Sequence, residues 1–218
     1  ITLRKGIRSL WGTKTDEVTT RKLQFADLQP RLEFASDGFI LPSSNRSKIQ
    51  FYTVNLKQVH LQIKKVATKQ IGQFVKSQQL TSERTRSQDF TNAYASTVGT
   101  IIKSQTIGIS GKNNQWILNE LDLSDLFSRY DDGLFLVSLN FTPEDVSSPI
   151  RGDVLEYIFD KGQIYKPVFL SNIGLTLKSG NNEAKVFATD IITGKPLPGV
   201  AVSLLDWSGS VQYTLVTN

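Results

Sequence analysis

Apolar and polar residues alternate along much of the chain, and this period of two is typical of β-strands with one buried face. The alternation is clearest over residues 54–66, where Val, Leu and Ile are separated by Lys and Gln. A one-residue phase change at residues 57–58 predicts a turn or bulge there. Residues 134–141, L-F-L-V-S-L-N-F, predict a fully buried strand that is entered from a turn at residues 131–133.

The other apolar runs are short and bounded by turn residues. Those between residues 158 and 177 are interrupted at residues 161–162 and at Pro167, and they predict additional strands. Residues 200–205 and 211–216 flank the sequence D-W-S-G, so they predict a β-hairpin. The pattern as a whole therefore predicts an all-β chain.

Two stretches do not alternate. Residues 76–97 are rich in Ser, Thr, Gln and Arg. They predict an insertion at the edge of a sandwich, formed either by a long loop or by a short amphipathic helix around its aromatic residues. Residues 121–130, L-D-L-S-D-L-F-S-R-Y, predict a helical turn capped by Asp122 or Ser124.

Turn signals divide the chain into three parts. We predict that residues 1–25 are terminal strands of a preceding β-domain and that residues 26–163 form a complete β-sandwich with the insertion near 76–97. Residues 164–218 are predicted to start a further, incomplete β-sandwich, because the apolar face of the last strand needs another sheet to cover it. The predicted fold class is therefore all-β, with tandem antiparallel β-sandwich domains.

The composition is that of a globular protein, with 39% hydrophobic and 21% charged residues. No apolar run approaches the roughly 18 residues needed to span a bilayer, so we predict no membrane insertion. The net charge of +5 is dispersed, and its short clusters are Lys64 with Lys65 and Arg84 with Arg86. Nucleic-acid binding needs a basic stripe with interleaved aromatic residues, and solvated strand faces explain this charge better.

Candidate catalytic chemistry is sparse. The chain has no Cys, which excludes disulfides, thiolate nucleophiles and Cys-based zinc sites. The single histidine, His60, falls on the polar face of its predicted strand, and no G-x-S-x-G nucleophile elbow accompanies it. The carboxylates at residues 131–132 and 144–145 fall in turns, and no phosphate-binding glycine loop is present. We therefore predict no catalytic residue, no metal site and no cofactor.

Two tryptophans and two sequons are candidates for carbohydrate chemistry. Trp116 opens a predicted strand and Trp207 lies in the predicted hairpin turn. Exposed tryptophans on a sandwich can bind sugar rings, but at strand starts they more often cover the sandwich edge. The sequons begin at Asn45 and Asn140, and the second lies in a predicted buried strand, where glycosylation is not expected.

Two motifs in the last part of the chain carry a resemblance to a known family. Residues 171–175 are S-N-I-G-L, and residues 186–204 are V-F-A-T-D-I-I-T-G-K-P-L-P-G-V-A-V-S-L. They resemble the macroglobulin-type domains of bacterial α2-macroglobulins, whose pattern is S-D-I-G-L followed by V-x-V-T-D-L-x-T-G-K-P-L-x-G-V-x-V-x-L. Asn172 stands where the family usually has Asp. The matching positions of the second motif are Asp190, Thr193, Gly194, Pro196, Gly199 and Val200.

The resemblance extends upstream in the family's order. Residues 28–42 are similar to its entry strand, L-x-P-x-V-x-F-x-x-x-G-x-x-L-P, and residues 54–63 are similar to V-N-V-x-K-V-x-V-x-V. Residues 116–123 and 133–140 resemble W-x-x-x-x-L-D-L and G-L-Y-x-V-S-L-x-F. Residues 6–12 resemble G-I-K-S-L-x-G, which ends the preceding domain in the family. Each motif is weak alone, but their order along one chain is much stronger.

The resemblance implies fibronectin-III/Ig-like macroglobulin domains from the N-terminal region of an α2-macroglobulin-like lipoprotein. In that family, cleavage of a bait region makes a ring of domains collapse around a protease, which a Cys–Gln thioester captures. This chain has no Cys, and the bait region also lies elsewhere in the family. The implied role is therefore that of a non-catalytic scaffold within a broad-spectrum protease inhibitor.

The same resemblance implies partners and a location. The partners would be other macroglobulin domains of the same chain, with proteases as targets of the full-length protein and no nucleic acid. The location would be the periplasm or the cell surface, with a lipid anchor in a region outside this chain.

One alternative comes from residues 193–200, T-G-K-P-L-P-G-V, which also resemble carboxypeptidase-regulatory-like domains. The alternative function is a cell-surface adhesion or glycan-binding module of an outer-membrane system. That family lacks the upstream entry motifs, which therefore favour the macroglobulin interpretation.

Overall fold

The computed structural model describes residues 1–23, 25–36, 38, 40–42, 48–78, 98–130, 132–181, 183–206, 208 and 210–218. Strands are the main regular structure of these residues, which confirms the predicted all-β class. In chain order the elements are β1 (Thr2–Leu3), β2 (Thr19–Thr20), β3 (Arg31–Phe34), β4 (Ile40–Leu41), β5 (Lys48–Val54), β6 (Gln58–Val66), α1 (Thr68–Gln78), β7 (Thr100–Gly108), β8 (Ile117–Asp122), α2 (Ser124–Phe127), β9 (Gly133–Asn140), a 3-10 turn (Pro143–Asp145), α3 (Val154–Lys161), β10 (Gln163–Leu170), β11 (Ile173–Ser179), β12 (Ala184–Asp190), β13 (Ala201–Leu205) and β14 (Val211–Val216).

Two sheets form a central sandwich. The first has three antiparallel strands in the order β3-β5-β8. The second has five strands in the order β4-β10-β9-β6-β7, and it is antiparallel except where β10 meets the two-residue strand β4. The phase change in the alternating stretch is explained by the turn between β5 and β6, as predicted.

One hydrophobic cluster fills the space between the two sheets. Phe51 of β5 and Phe135 of β9 have no exposed surface, and both belong to this cluster. Along β5 the buried Ile49, Phe51 and Thr53 alternate with exposed neighbours. The period of two that predicted this strand therefore corresponds to one face in the core and one face in solvent.

A second hydrophobic cluster lies on the other face of the five-stranded sheet, where α1 covers it. Its buried members are Val66, Phe74, Val98, Leu134 and Leu136. Along β9, Leu136 belongs to this cluster, while its neighbours Phe135 and Val137 belong to the cluster between the sheets. Because both faces of β9 are covered, the strand has the continuous apolar run from which it was predicted.

The helical content was only partly predicted. The helical turn expected within residues 121–130 is confirmed as α2. The predicted cap at Asp122 or Ser124 is wrong, because the N-cap residue is Leu123, which makes no side-chain capping bond, although the Asp122 carboxylate accepts the Ser124 backbone N–H at 2.8 Å. The strand predicted from residue 158 is wrong over residues 158–161, which form the end of α3. This helix begins after Asp153, whose side chain accepts the Glu156 N–H at 2.9 Å and so caps the first turn.

The pairing of β10 differs from the domain boundary predicted between residues 163 and 164. β10 pairs with β9 along its whole length, and its Val168 and Leu170 are buried in the cluster between the sheets. The predicted boundary thus falls at the start of a strand that pairs into the five-stranded sheet. A periodic pattern shows that a strand exists, but it does not show which neighbour the strand pairs with.

Pro167 lies inside β10 rather than between two runs. It stands opposite Leu136 of β9, and β4 pairs with β10 only from Phe169 onward. A proline has no N–H to donate. It fits at this position because, among the described residues, the pairing with β4 does not reach Pro167 and only β9 lies beside it.

Three two-stranded ribbons lie outside the two sheets: β1–β2, β11–β12 and β13–β14. The last of them confirms the hairpin predicted from residues 200–216. Many of their apolar side chains are exposed, including Leu3 at 48%, Leu177 at 66% and Leu215 at 76%. A lone ribbon has no second layer against which to bury an apolar face, so the described residues leave these faces uncovered.

Several predicted features fall outside the described residues. The predicted insertion begins in the last turn of α1, and its residues 79–97, with Arg84 and Arg86, are among those not described. The same holds for Asn45, Asp131 and Trp207.

Candidate functional site

The only histidine of the chain lies in a polar cluster beside the five-stranded sheet. His60 Nε2 is 2.9 Å from Asp145 Oδ2, and His60 Nδ1 is 3.1 Å from Thr106 Oγ1 on the neighbouring strand β7. The sequence predicted that His60 would face the polar side of its strand, and this is confirmed by its one-third exposed side chain. Its contact with Asp145 was not predicted.

Asp145 is a buried carboxylate with four hydrogen-bond donors. Its Oδ2 accepts from His60, from the Thr142 backbone N–H at 2.8 Å and from the Thr142 hydroxyl at 2.9 Å. Its Oδ1 accepts from Gln58 Nε2 at 2.6 Å. Burial acts to raise the pKa of Asp145, but the hydrogen bonds from Thr142 and Gln58 and the proximity of His60 outweigh it and lower that pKa.

The Thr106 hydroxyl, the His60 imidazole and the Asp145 carboxylate follow one another as the three groups of a catalytic triad do. The geometry favours a structural role, because the Asp145 carboxylate is shared among donors that hold the 3-10 turn against β6. The Lys57 N–H also donates to the Asp145 carbonyl at 2.7 Å.

A cavity of about 160 Å³ is lined by residues outside this polar cluster: Ile102, Lys103, Asp125, Leu126, Arg129 and Tyr130.

Other charged side chains with close partners are spread over the sandwich. Lys65 lies over the ring of Tyr130, 4.0 Å from its centroid, and Lys103 pairs with Asp125 at 2.7 Å. In the part of the chain that the structure describes, no group of three or more His, Cys, Asp or Glu side chains is placed to bind a metal ion. No helix among the described residues is long and apolar enough to cross a membrane.

Trp116 lies directly before β8, beside the outer face of the three-stranded sheet. The residue is 48% exposed, and its ring meets the ring of Tyr52 edge-on, with 6.0 Å between the centroids. Leu118 is exposed beside them. This aromatic patch, formed by Trp116, Tyr52 and Leu118, is the one place in the described residues where a candidate sugar-binding tryptophan is flanked by a second aromatic ring.

The fold is similar to solved macroglobulin structures. A crystal structure of native alpha-2-macroglobulin from Escherichia coli that spans domains MG0-NIE-MG1 is 20% identical, with a TM-score of 0.63, and the match covers 99% of this chain and 63% of that one. The NIE-MG1 structure from the same organism is 18% identical, with a TM-score of 0.61 and coverage of 87% and 83%.

The methylamine-reacted alpha-2-macroglobulin from Salmonella is 16% identical with a TM-score of 0.58, and the match covers the whole of this chain and 12% of that protein. This chain thus spans less than two thirds of the MG0-NIE-MG1 structure and a small part of the Salmonella protein. Likeness at these identities establishes the fold. No curated protein matches the chain.

A family model supplies the relationship that structural likeness alone does not. The model of the bacterial alpha-2 macroglobulin MG2 domain matches residues 33–142, which is half of the chain and extends from β3 to just beyond β9. The upstream motifs that carried the resemblance lie largely in this region. The chain therefore belongs to the bacterial alpha-2-macroglobulin family.

Proposed function

We propose that this chain is a structural scaffold segment of a bacterial α2-macroglobulin-like, broad-spectrum protease inhibitor and that it performs no catalysis itself. The observation that carries this proposal is the match of residues 33–142 to the MG2 domain model, on a sandwich whose polar cluster holds a turn in place. The inhibitor role belongs to the full-length protein, and the bait and thioester regions lie outside this segment.

The proposed partners are other macroglobulin domains of the same chain. The ribbons β11–β12 and β13–β14 support this proposal, because each has large exposed apolar side chains such as Leu177 and Leu215. Exposed apolar faces of this kind mark surfaces that a further layer covers. We propose that residues 171–218 contribute these ribbons to a further sandwich and that residues 1–25 contribute β1–β2 to a preceding one.

The proposed location is extracytoplasmic, in the periplasm or on the cell surface, with a lipid anchor in another region of the full-length protein. The absence of Cys is compatible with such a location, since this chain needs no disulfide to close its core. Locating the full-length protein by fractionating cells into cytoplasm, periplasm and membranes tests this proposal. Recovery in the cytoplasm would contradict it.

A protease assay tests the inhibitor role. We expect the full-length protein that carries this chain to protect a large protein substrate from trypsin, while a small peptide substrate is still hydrolysed, because only small molecules reach an enclosed protease. The 218-residue chain alone should neither inhibit nor hydrolyse. Potent inhibition by the chain alone would contradict the scaffold role, and unchanged cleavage of both substrates by trypsin would contradict the inhibitor role.

The second candidate function is glycan binding, and the aromatic patch is the observation that favours it. If the patch binds a sugar, the chain should bind selectively on a glycan array, and Trp116→Ala should abolish the signal because the stacking surface is lost. Trp11→Ala is the matched control, since Trp11 is an exposed tryptophan on the β1–β2 side of the chain. Failure to bind any glycan, or equal loss in both variants, removes this candidate.

A further inference from the structure

Two asparagines at one end of the sandwich adopt an unusual backbone conformation. Asn55, between β5 and β6, has φ of 53°, and Asn114, between β7 and β8, has φ of 62°. Among the described residues these are the non-glycine positions with positive φ. Asn tolerates this region better than most residues, but the conformation still carries backbone strain. Asn55 and Asn114 contact each other, and the partners of their side chains explain why both adopt this conformation.

The two asparagine side chains bind each other and the segment that precedes β3. The Asn114 N–H donates to Asn55 Oδ1 at 2.6 Å, and Asn55 Nδ2 donates to Asn114 Oδ1 at 3.1 Å. Asn114 Oδ1 also accepts the Leu28 N–H at 2.8 Å, while Asn55 Nδ2 donates to the Leu28 carbonyl at 2.7 Å. The pair therefore offers Leu28 one acceptor and one donor, as a neighbouring β-strand would.

The residues on both sides of Leu28 are held as well. Asn114 Nδ2 donates to Asp27 Oδ1 at 2.7 Å. The Gln29 side chain pairs with the backbone of Arg151, donating to its carbonyl at 3.0 Å and accepting its N–H at 3.1 Å. The backbone of residues 27–30 and its side chains thus meet partners from three separate loops.

A tyrosine holds the last residue of this segment. The Tyr157 hydroxyl, on α3, donates to the Pro30 carbonyl at 2.6 Å. Burial raises the pKa of Tyr157 above its ordinary value, which extends the pH range over which the hydroxyl can donate this bond. Pro30 is itself buried, and β3 begins at the next residue.

The residues that hold the segment are anchored to the sandwich. The Asn55 carbonyl accepts the Ser147 N–H at 2.9 Å, which ties the β5–β6 turn to the loop that follows the 3-10 turn. Tyr157 lies on α3, next to β10, and Asn114 lies in the β7–β8 loop, three residues before β8 begins. Each partner of residues 27–30 is thus fixed to a different part of the frame, so the segment is held from several sides.

We propose that Asn55, Asn114, Arg151 and Tyr157 form a docking site for residues 27–30, the linker clasp, and that this clasp fixes the direction in which the chain enters the sandwich. The partner is the chain's own linker between β2 and β3, and the clasp sets where the unit before it is attached. In their positive-φ conformation, the two asparagines aim both side-chain amides at Leu28. The proposal goes beyond the scaffold role, which does not require a fixed junction.

A distance measurement tests the clasp. The chain has no Cys, so Ala26→Cys and Gln50→Cys introduce a unique pair of spin-labelling sites, one in the linker next to residues 27–30 and one on the exposed face of β5. We expect a single narrow distance distribution by pulsed electron paramagnetic resonance. In the Asn55→Gly/Asn114→Gly double variant the distribution should broaden about two-fold or more, because a released segment regains backbone freedom.

The variants are chosen so that loss of folding cannot imitate the result. Glycine populates positive φ readily, so these substitutions remove the amides without adding strain. Asn113→Gly, in the same exposed loop, is the matched control and should leave the distribution narrow. Amide exchange of Leu28 should accelerate in the double variant, while the amide of Ile63 in β6 stays protected. Unchanged width in the folded double variant, or equal broadening in the control, would overturn the proposal.

Discussion

Phe51→Ala should lower the free energy of unfolding of the central sandwich by about 4 kcal/mol, a loss typical of a fully buried phenylalanine. Phe51 lies on the three-stranded sheet with no exposed surface, in the cluster that also contains Phe135 and Leu139 of the five-stranded sheet. Its removal leaves a cavity between the two layers, and the sheets cannot close it without breaking their strand pairing. Urea denaturation followed by circular dichroism measures the loss.

The next residue along the strand supplies the control. Tyr52 is on the opposite face of β5, where it is 36% exposed against Trp116. We expect Tyr52→Ala to cost about 1 kcal/mol or less, because a surface truncation leaves no internal cavity. Similar losses of unfolding free energy in Phe51→Ala and Tyr52→Ala would contradict the assignment of one buried and one exposed face to β5.

Asp145→Asn should lower the free energy of unfolding by about 3 kcal/mol at neutral pH. Asparagine keeps the shape of the side chain but replaces one acceptor oxygen by a donor. At the Oδ2 position the NH2 group faces the Thr142 backbone N–H, and at the Oδ1 position it faces Gln58, which must turn its own amide to accept. In either orientation the charged acceptor is lost. Asp132→Asn, at an exposed carboxylate, is the matched control and should change stability little.

Acidification gives an independent test of the same carboxylate. The pKa of Asp145 is lowered in the folded chain, so on acidification the unfolded chain binds this proton first. Its contribution to stability is therefore present above the ordinary Asp pKa of about 3.9 and is lost as pH falls through the lowered folded pKa. The stability gap between the parent chain and Asp145→Asn should narrow below about pH 5. A constant gap down to pH 2 would contradict this assignment.

Local patterns predicted the strands well, because half-buried strands have a sequence period that is independent of their partners. β6, β9 and the hairpin β13–β14 were found in this way. α1 was missed because its residues are mostly polar and include Gly72 near the middle, which weakens helix propensity. Packing of Phe74 against the five-stranded sheet compensates for that weakness, and this contact is not visible in the local sequence.

Only those contacts of the candidate site that join residues close in sequence could be predicted. The sequence T-P-E-D at residues 142–145 has the spacing in which a side chain at the fourth position bonds back to the first, and Asp145 does so with Thr142. The period of β6 also placed His60 on the polar face. His60 and Asp145 are 85 residues apart, so their contact depends on strand order, which no short pattern encodes. The same reason explains why the pairing of β10 differed from the predicted boundary.

The two-sided burial of β9 has a consequence for how the sandwich unfolds. Phe135 and Leu136 are adjacent residues, yet one packs between the sheets and the other packs under α1. If α1 detaches, β9 loses the packing on one of its two faces. If the sheets separate, α1 loses the surface on which it rests. The two clusters should therefore melt in a single cooperative transition, with the amides of β9 among the last to exchange with solvent.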